Sequence, residues 1–177
     1  QSAELLDPSL KPVLDKLAQA LDIPKVKVHL YEVDPVNGLA APDGRIFITR
    51  GFYDKYILDE VSAEEIASVI AHELGHIALG HAKRRMIDFS SQNAVRAALG
   101  MLLGRIIPGI GNWVATIVAN LLMAKLSRAD EYEADEYASA LLNKSGIGTG
   151  PQISLFEKLE ALSGQTGQLP ALSLIHI

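Results

Sequence analysis

The sequence predicts an α+β fold that is mostly helical, with a small antiparallel sheet before one central helix. Apolar residues recur at helical spacing in several long segments, and short alternating segments separated by turn signals lie between residues 26 and 49. A capping box, Ser62-Ala-Glu-Glu65, opens the helical pattern near the middle of the chain. With 177 residues, 49% of them hydrophobic, the chain is long enough for one domain with a sizeable core.

The first third of the chain is expected to form a helix and then the sheet. Apolar residues such as Val13 and Leu17 recur on one helical face, and Val26, Val28 and Leu30 alternate with polar residues. Asp43-Gly44 between two short apolar runs is a hairpin signal. The expected elements are a helix over 9–21, a strand over 26–33, hairpin strands over 39–41 and 45–49, and a short helix over 51–58.

The remainder of the chain is expected to be helical. The helix opened by Ser62 is predicted to run to about Arg85, and later helices are expected over 90–105, over 112–144 before Gly146, and from Pro151 onwards. The run Ile106–Ala124 contains no charged residue. It is expected to belong to a helical hairpin that is either buried in the protein or in contact with a membrane through residues 90–124.

Composition excludes several kinds of function. The formal net charge is −5 and the chain has no basic block, which argues against a nucleic-acid partner. There are no cysteines, so disulfides and thiolate metal ligands are excluded. A transition-metal site in this chain therefore needs His, Asp or Glu ligands.

The segment His72-Glu-Leu-Gly-His76 has the pattern His-Glu-x-x-His within an apolar helix. Residues four apart share one face of a helix, so His72 and His76 are expected to bind the same zinc ion. Glu73 is placed to reach a metal-bound water as its general base. Gly75 beside them either leaves room for substrate or allows close packing of a neighbouring helix.

A catalytic zinc needs a third protein ligand. His81 is a poor choice because it lies five residues after His76, about 140° further round a continuous helix. Glu131 and Asp135 are one turn apart on a later helix, so one carboxylate can bind zinc while the other accepts the free N–H of a ligating histidine. Spacing alone leaves the ligand open among the acidic residues of this segment, which are Glu131, Glu133 and Glu136.

Together these motifs resemble the HtpX/CAAX-prenyl-protease family of gluzincin zinc metallopeptidases, especially its BepA-like bacterial branch. The residues that carry the resemblance are His72–His76, Ser127-Arg-Ala-Asp-Glu-Tyr-Glu-Ala-Asp135, and Val36-Asn-Gly-Leu-Ala-Ala-Pro-Asp-Gly44 with Ile46-Phe-Ile-Thr. The resemblance implies a zincin-like domain with one zinc per chain, Glu131 as the third ligand and Asp135 as the partner of a ligating histidine. The chain departs from the branch after Leu162, where its Ser-x-His-Pro stretch and helical repeats are absent.

The resemblance implies an endopeptidase that degrades misfolded or membrane and envelope proteins in the bacterial cell envelope, either in the periplasm or at the membrane. Its mechanism would be Glu73-assisted attack of a zinc-bound water on the peptide carbonyl. An unfolded or extended polypeptide is expected to add as a strand along Asn37, Gly38, Leu39 and Ala40. The sequence does not assign the donor that stabilises the oxyanion or the oligomeric state.

The sequence leaves two other functions open. One is a non-proteolytic chaperone or assembly factor for envelope proteins, and the other is a purely structural zinc domain. Neither needs a carboxylate at Glu73. Residues 1–171 are interpreted as a single metallopeptidase domain cut at both ends, and 172–177 as a non-native tail that resembles a translated sequencing adapter.

Overall fold

The computed structural model describes residues 3–41, 43–81 and 111–164. By its contacts the chain divides into two compact units, Gln1–Ala78 with Ala134–Ile177, and Leu79–Glu133. The elements in the described residues are α1 (Lys11–Leu21), β1 (Val28–Tyr31), β2 (Gly38–Ala40), β3 (Ile46–Thr49), α2 (Arg50–Ile57), α3 (Ala63–Ala78), α4 (Gly111–Lys144) and α5 (Gly150–Gly164). The predicted α+β class is confirmed.

The three strands form a mixed sheet in the order β1-β3-β2. β2 and β3 are the predicted antiparallel hairpin, with Gly38 opposite Ile48. β1 runs parallel to β3, with Val28 opposite Ile46, so the expectation of a wholly antiparallel sheet is wrong for this pair. Strands β1 and β2 lie on opposite sides of β3. Because β1 and β2 run in opposite directions and β2 is antiparallel to β3, β1 is parallel to β3.

Helix α3 lies at the centre of the first unit and contacts α1, β2, β3 and α5. Its inward face is apolar and wholly buried, with Ile66, Ala67, Ile70 and Ala71 each 0% exposed. Packing on several sides fixes the orientation of this helix, so the side chains that follow Ala71 are held on a rigid support.

The N-terminus of α3 has the predicted capping box. The backbone N–H of Glu65 donates to Ser62 Oγ at 3.1 Å, and the N–H of Ser62 donates to Glu65 Oε2 at 2.8 Å. The same buried carboxylate also accepts hydrogen bonds from two side chains of α5, Ser154 Oγ at 2.6 Å and Lys158 Nζ at 2.8 Å. Glu65 therefore caps α3 and attaches α5 to it.

The C-terminus of α3 differs from the prediction. The helix ends at Ala78 instead of continuing to about Arg85. Gly80 has a φ of 67°, the left-handed conformation that ends helices and that glycine adopts without strain. Gly80 therefore acts as a stop signal for α3.

Helix α4 begins at Gly111, close to the predicted start at residue 112, and ends at Lys144 before Gly146, whose φ is 75°. The expected helix over 90–105, the first half of the expected hairpin, lies outside the described residues. Within residues 3–41, 43–81 and 111–164, no helix is both long and apolar enough to cross a bilayer.

The contacts of Glu65 predict a pH-dependent stability. Burial opposes ionisation of this carboxyl, but hydrogen bonds from Lys158 and Ser154 outweigh burial and lower its pKa below the ordinary 4.5. A carboxyl with a lowered folded-state pKa contributes stability that is present above its unfolded pKa and is lost as the pH falls through the folded pKa. We therefore expect Glu65→Gln to lower the free energy of unfolding by about 2 kcal/mol at pH 7 and by much less at pH 3.

Urea denaturation of both proteins at the two pH values measures this difference. Glu64→Gln is the matched control, because Glu64 lies in the same first turn but is exposed. An equal effect of Glu65→Gln at pH 7 and pH 3 would contradict the assigned ion pair.

Candidate metal centre and active site

The last two turns of α3 present the motif residues on a buried surface. His72 and His76 lie one turn apart with ring centroids 4.7 Å apart, and their Nε2 atoms are separated by 3.0 Å. His76 is 4% exposed and Glu73 is 0% exposed. The pair converges on one point because an i, i+4 spacing stacks side chains on the same face.

The geometry of the two imidazoles fits a shared zinc ion. Two nitrogens that bind a tetrahedral zinc at about 2.05 Å are separated by roughly 3.3 Å, close to the separation of the Nε2 atoms of His72 and His76. Neutral imidazole nitrogens are among the ligands that zinc prefers. Thus the donor atoms that α3 supplies match the metal that the motif predicts.

Asp135 on α4 fixes the tautomer of His72. The Nδ1–H of His72 donates to Asp135 Oδ1 at 2.7 Å, which leaves the lone pair of His72 on Nε2. A carboxylate on the remote ring nitrogen orients a ligating histidine and raises its basicity. Asp135 is therefore the hydrogen-bond partner of His72, and its role beside a zinc ligand stays a prediction.

Close packing at Gly75 makes this hydrogen bond possible. A Cβ atom built on Gly75 would lie 3.0 Å from the carbonyl oxygen and 3.1 Å from the Cα of Ala134. The two helix backbones are thus nearly in contact one residue before Asp135. Of the two roles expected for Gly75, the structure shows close helix packing.

The edge strand β2 lies against the proposed general base. A Cβ atom built on Gly38 would be 3.4 Å from Cγ and 3.5 Å from Oε1 of Glu73, and 2.4 Å from Cγ1 of Val69. Only glycine fits at this position with Val69 opposite. Gly38 is buried, whereas the other residues expected to bind substrate, Asn37, Leu39 and Ala40, are half-buried.

Glu131 lies on α4 one turn before Asp135 and is half-buried, and it belongs to the second compact unit. Of the two acidic alternatives to Glu131, Glu136 is exposed, and Glu133 is exposed and contacts His81 within that unit, with Oε2 3.1 Å from His81 Nε2. The carboxylate of Glu133 is therefore in contact with His81.

His81 is the centre of a polar cluster in the second unit. It is 1% exposed and lies 3.1 Å from Glu133 and 3.9 Å from Asp130. The sequence argues against His81 as a zinc ligand but does not reveal these partners, because the helical spacing does not continue past Gly80, where α3 has already ended. The ligand atoms of these three residues lie within 4.8 Å of one another, but a buried histidine beside carboxylates needs no ion.

Comparison with known proteins identifies relatives of this chain. The sequence profile described as peptidase family M48 matches residues 4–170. The chain is 30% identical over 153 residues to "Metalloprotease LoiP" of Escherichia coli (strain K12), which covers 86% of this chain and 59% of the relative. It is 32% identical over 155 residues to "Metalloprotease YcaL" of the same strain, covering 85% and 59%. It is 27% identical over 187 residues to "Protease HtpX" of Pseudomonas aeruginosa (strain UCBPP-PA14), covering 91% and 60%.

The expected resemblance to the HtpX-type metallopeptidases is confirmed by these matches. The chain spans about three fifths of the length of the curated relatives that it matches. Proteins of the M48 family generally use zinc, in agreement with the donor atoms of α3.

The hydrogen bond between Asp135 and His72 predicts a defined effect on metal binding. We expect Asp135→Asn to keep the fold but to lower zinc affinity or activity roughly 10–100-fold, because the carboxylate that orients His72 is lost. Competition with a fluorescent zinc chelator measures the affinity. Glu136→Gln, an exposed substitution in the same turn, is the control, and an equal effect of both variants would contradict the role of Asp135.

Proposed function

This chain belongs to peptidase family M48, and on that premise we propose that it is a zinc-dependent endopeptidase acting on extended polypeptides. The pair of His72 and His76, with His72 hydrogen-bonded to Asp135, is the observation that carries the proposal. The names of the relatives LoiP and YcaL, both metalloproteases, support it.

Glu131 is the proposed third zinc ligand. Residues four apart lie on the same face of a continuous helix, so the face of α4 that directs Asp135 to His72 also carries Glu131. The contact of Glu133 with His81 and the exposure of Glu136 favour Glu131 over these two residues. Two histidines and one carboxylate leave a fourth position open, as catalytic zinc sites require.

Glu73 is the proposed general base and acid. When bound, zinc would polarise the scissile carbonyl and lower the pKa of the attacking water toward about 7. Glu73 takes the proton of this water and passes it to the leaving amine. Because its carboxylate is shielded from bulk solvent, the proton is retained in the site between the two steps.

The substrate is proposed to bind as an added strand at β2. In the described residues β2 pairs with β3 only, so its other edge can accept an extended chain. Gly38 lies against Glu73, so a strand along Asn37, Gly38, Leu39 and Ala40 passes the general base. Unfolded polypeptides have the exposed backbone that this mode of binding needs.

Misfolded or membrane and envelope proteins are the proposed natural substrates, and the bacterial cell envelope is the proposed location. The family resemblance of the motifs supports both, and the relatives come from bacteria. Membrane contact through residues 90–124 is part of the same proposal and rests on the uncharged run Ile106–Ala124.

Substitution of Glu73 tests the proposed activity. We expect Glu73→Gln to bind zinc like the parent and to cleave labelled casein at least a hundredfold more slowly, because the general base is lost. A chelator should abolish cleavage by the parent, and added zinc should restore it. Undiminished proteolysis by the variant would refute the role of Glu73, and suppression of aggregation by a parent without peptidase activity would favour the chaperone alternative.

Substitution of Glu131 tests the third ligand separately. We expect Glu131→Gln to weaken zinc binding more than the roughly 10–100-fold expected for losing a residue that only orients a ligand. Equilibrium dialysis with zinc gives the affinity, with Glu136→Gln as the control. Zinc affinity within threefold of the parent would exclude Glu131 as a ligand.

A further inference from the structure

The backbone groups of β2 alternate between the sheet and its open edge. The N–H of Thr49 donates to the carbonyl of Asn37 at 3.0 Å, and the N–H of Ala41 donates to the carbonyl of Arg45 at 2.8 Å. In an antiparallel pair such hydrogen-bonded positions alternate with positions whose groups point away from the partner strand. The N–H and C=O groups of Gly38 and Ala40 therefore point to the open edge.

One of these outward groups is already occupied. The N–H of Gly38 donates to Oδ1 of Asn37 at 3.0 Å, so the Asn37 carboxamide stands at the edge of the strand. This contact sets the orientation of the amide, because only its oxygen can accept from an N–H. The Nδ2 of Asn37 consequently lies on the side of the carboxamide away from the N–H of Gly38, where it can donate to another acceptor.

The position of Asn37 is fixed by a buried threonine. The N–H of Asn37 donates to Thr49 Oγ1 at 3.0 Å, and its carbonyl accepts the N–H of Thr49, which is 1% exposed. Thr49 Oγ1 also accepts the N–H of Phe52 at 3.3 Å and so caps α2. The carboxamide is thus attached to a rigid part of the sheet, as a group that stabilises a transition state must be.

We propose that Asn37 holds the carbonyl under attack, with its Nδ2–H donating to the oxygen of the substrate residue opposite Gly38. This role rests on the proposed endopeptidase function and assigns the oxyanion donor that the sequence leaves open. A substrate strand would pair directly with Ala40. At Gly38, by contrast, the Asn37 carboxamide would lie between the backbone N–H of Gly38 and the substrate carbonyl.

The location of Gly38 identifies the scissile residue. A Cβ atom on Gly38 would lie 3.5 Å from Oε1 of Glu73, so the substrate residue at this register is next to the proposed general base. The same carbonyl would be attacked by the water that Glu73 deprotonates. Negative charge develops on its oxygen as the tetrahedral intermediate forms, and a fixed N–H donor stabilises this charge more than the neutral carbonyl.

Two substitutions at Asn37 test the proposal with labelled casein and full kinetic analysis. Asn37→Asp keeps an acceptor for Gly38 but loses the donor, and it should lower kcat by about 10²–10³-fold with a small change in KM. Asn37→Ala frees the N–H of Gly38 to donate directly, so its loss should be smaller, roughly tenfold. A purely structural cap predicts the reverse order, with Asn37→Ala the more damaging variant.

Asn143→Asp, the same change at an exposed position of α4, is the matched control. Zinc content and melting temperature should stay at the parental values in Asn37→Asp. Amide exchange of Gly38, measured by NMR without metal, should be unchanged in Asn37→Asp and faster in Asn37→Ala.

The outcomes separate this inference from the proposed function. A parent without zinc-dependent cleavage would refute the endopeptidase proposal and this role of Asn37 together. An active parent with an inactive Glu73→Gln variant, but with kcat of Asn37→Asp within threefold of the parent, would overturn the role of Asn37 alone. The reverse order of the two Asn37 variants would also overturn it.

Discussion

At Gly75 the backbones of α3 and α4 approach so closely that a methyl group would lie 3.0 Å from the carbonyl oxygen of Ala134. A glycine inside a helix lowers its stability by about 1 kcal/mol relative to alanine, so this position sacrifices helix propensity for proximity. The close approach lets the short side chain of Asp135 reach His72 at 2.7 Å. A bulkier residue at Gly75 would separate the helices by a few tenths of an ångström. The side chain of Asp135 is too short to span a wider gap, so its hydrogen bond to His72 would lengthen.

The site combines this contact with a second close approach on the other side of the motif, where Gly38 of the edge strand meets Glu73. Because neither glycine has a side chain, the backbone of a neighbouring element can lie close to it. Gly75 lets Asp135 approach His72, and Gly38 lets β2 lie against Glu73. The helix itself is held by its buried apolar face and by the Glu65 network at its start. A rigid helix that carries the histidine pair, with the carboxylate of Asp135 and a strand edge beside it, fits the proposed hydrolysis of an extended peptide.

The parts of this structure that depend on local signals could be predicted from the sequence. The capping box of α3, the Asp43-Gly44 hairpin and the stop of α4 before Gly146 are each set by residues within one or two turns. The parallel pairing of β1 with β3 depends on which side of the sheet the chain takes, and no local pattern encodes that choice. The partners of His81 could not be predicted, because helical spacing does not hold beyond Gly80, where α3 has ended. The contact of Gly38 with Val69 is a fit between segments about 30 residues apart, and a single sequence carries no signal for it.

We propose that His72 and His76 bind one zinc ion together. X-ray absorption at the zinc edge, on the chain loaded with one equivalent of zinc, measures the ligands of the ion. We expect two imidazole nitrogens and oxygen ligands at about 2.0–2.1 Å, with one imidazole lost in His76→Ala. Zinc without imidazole ligands, or the same spectrum from the parent and His76→Ala, would contradict it.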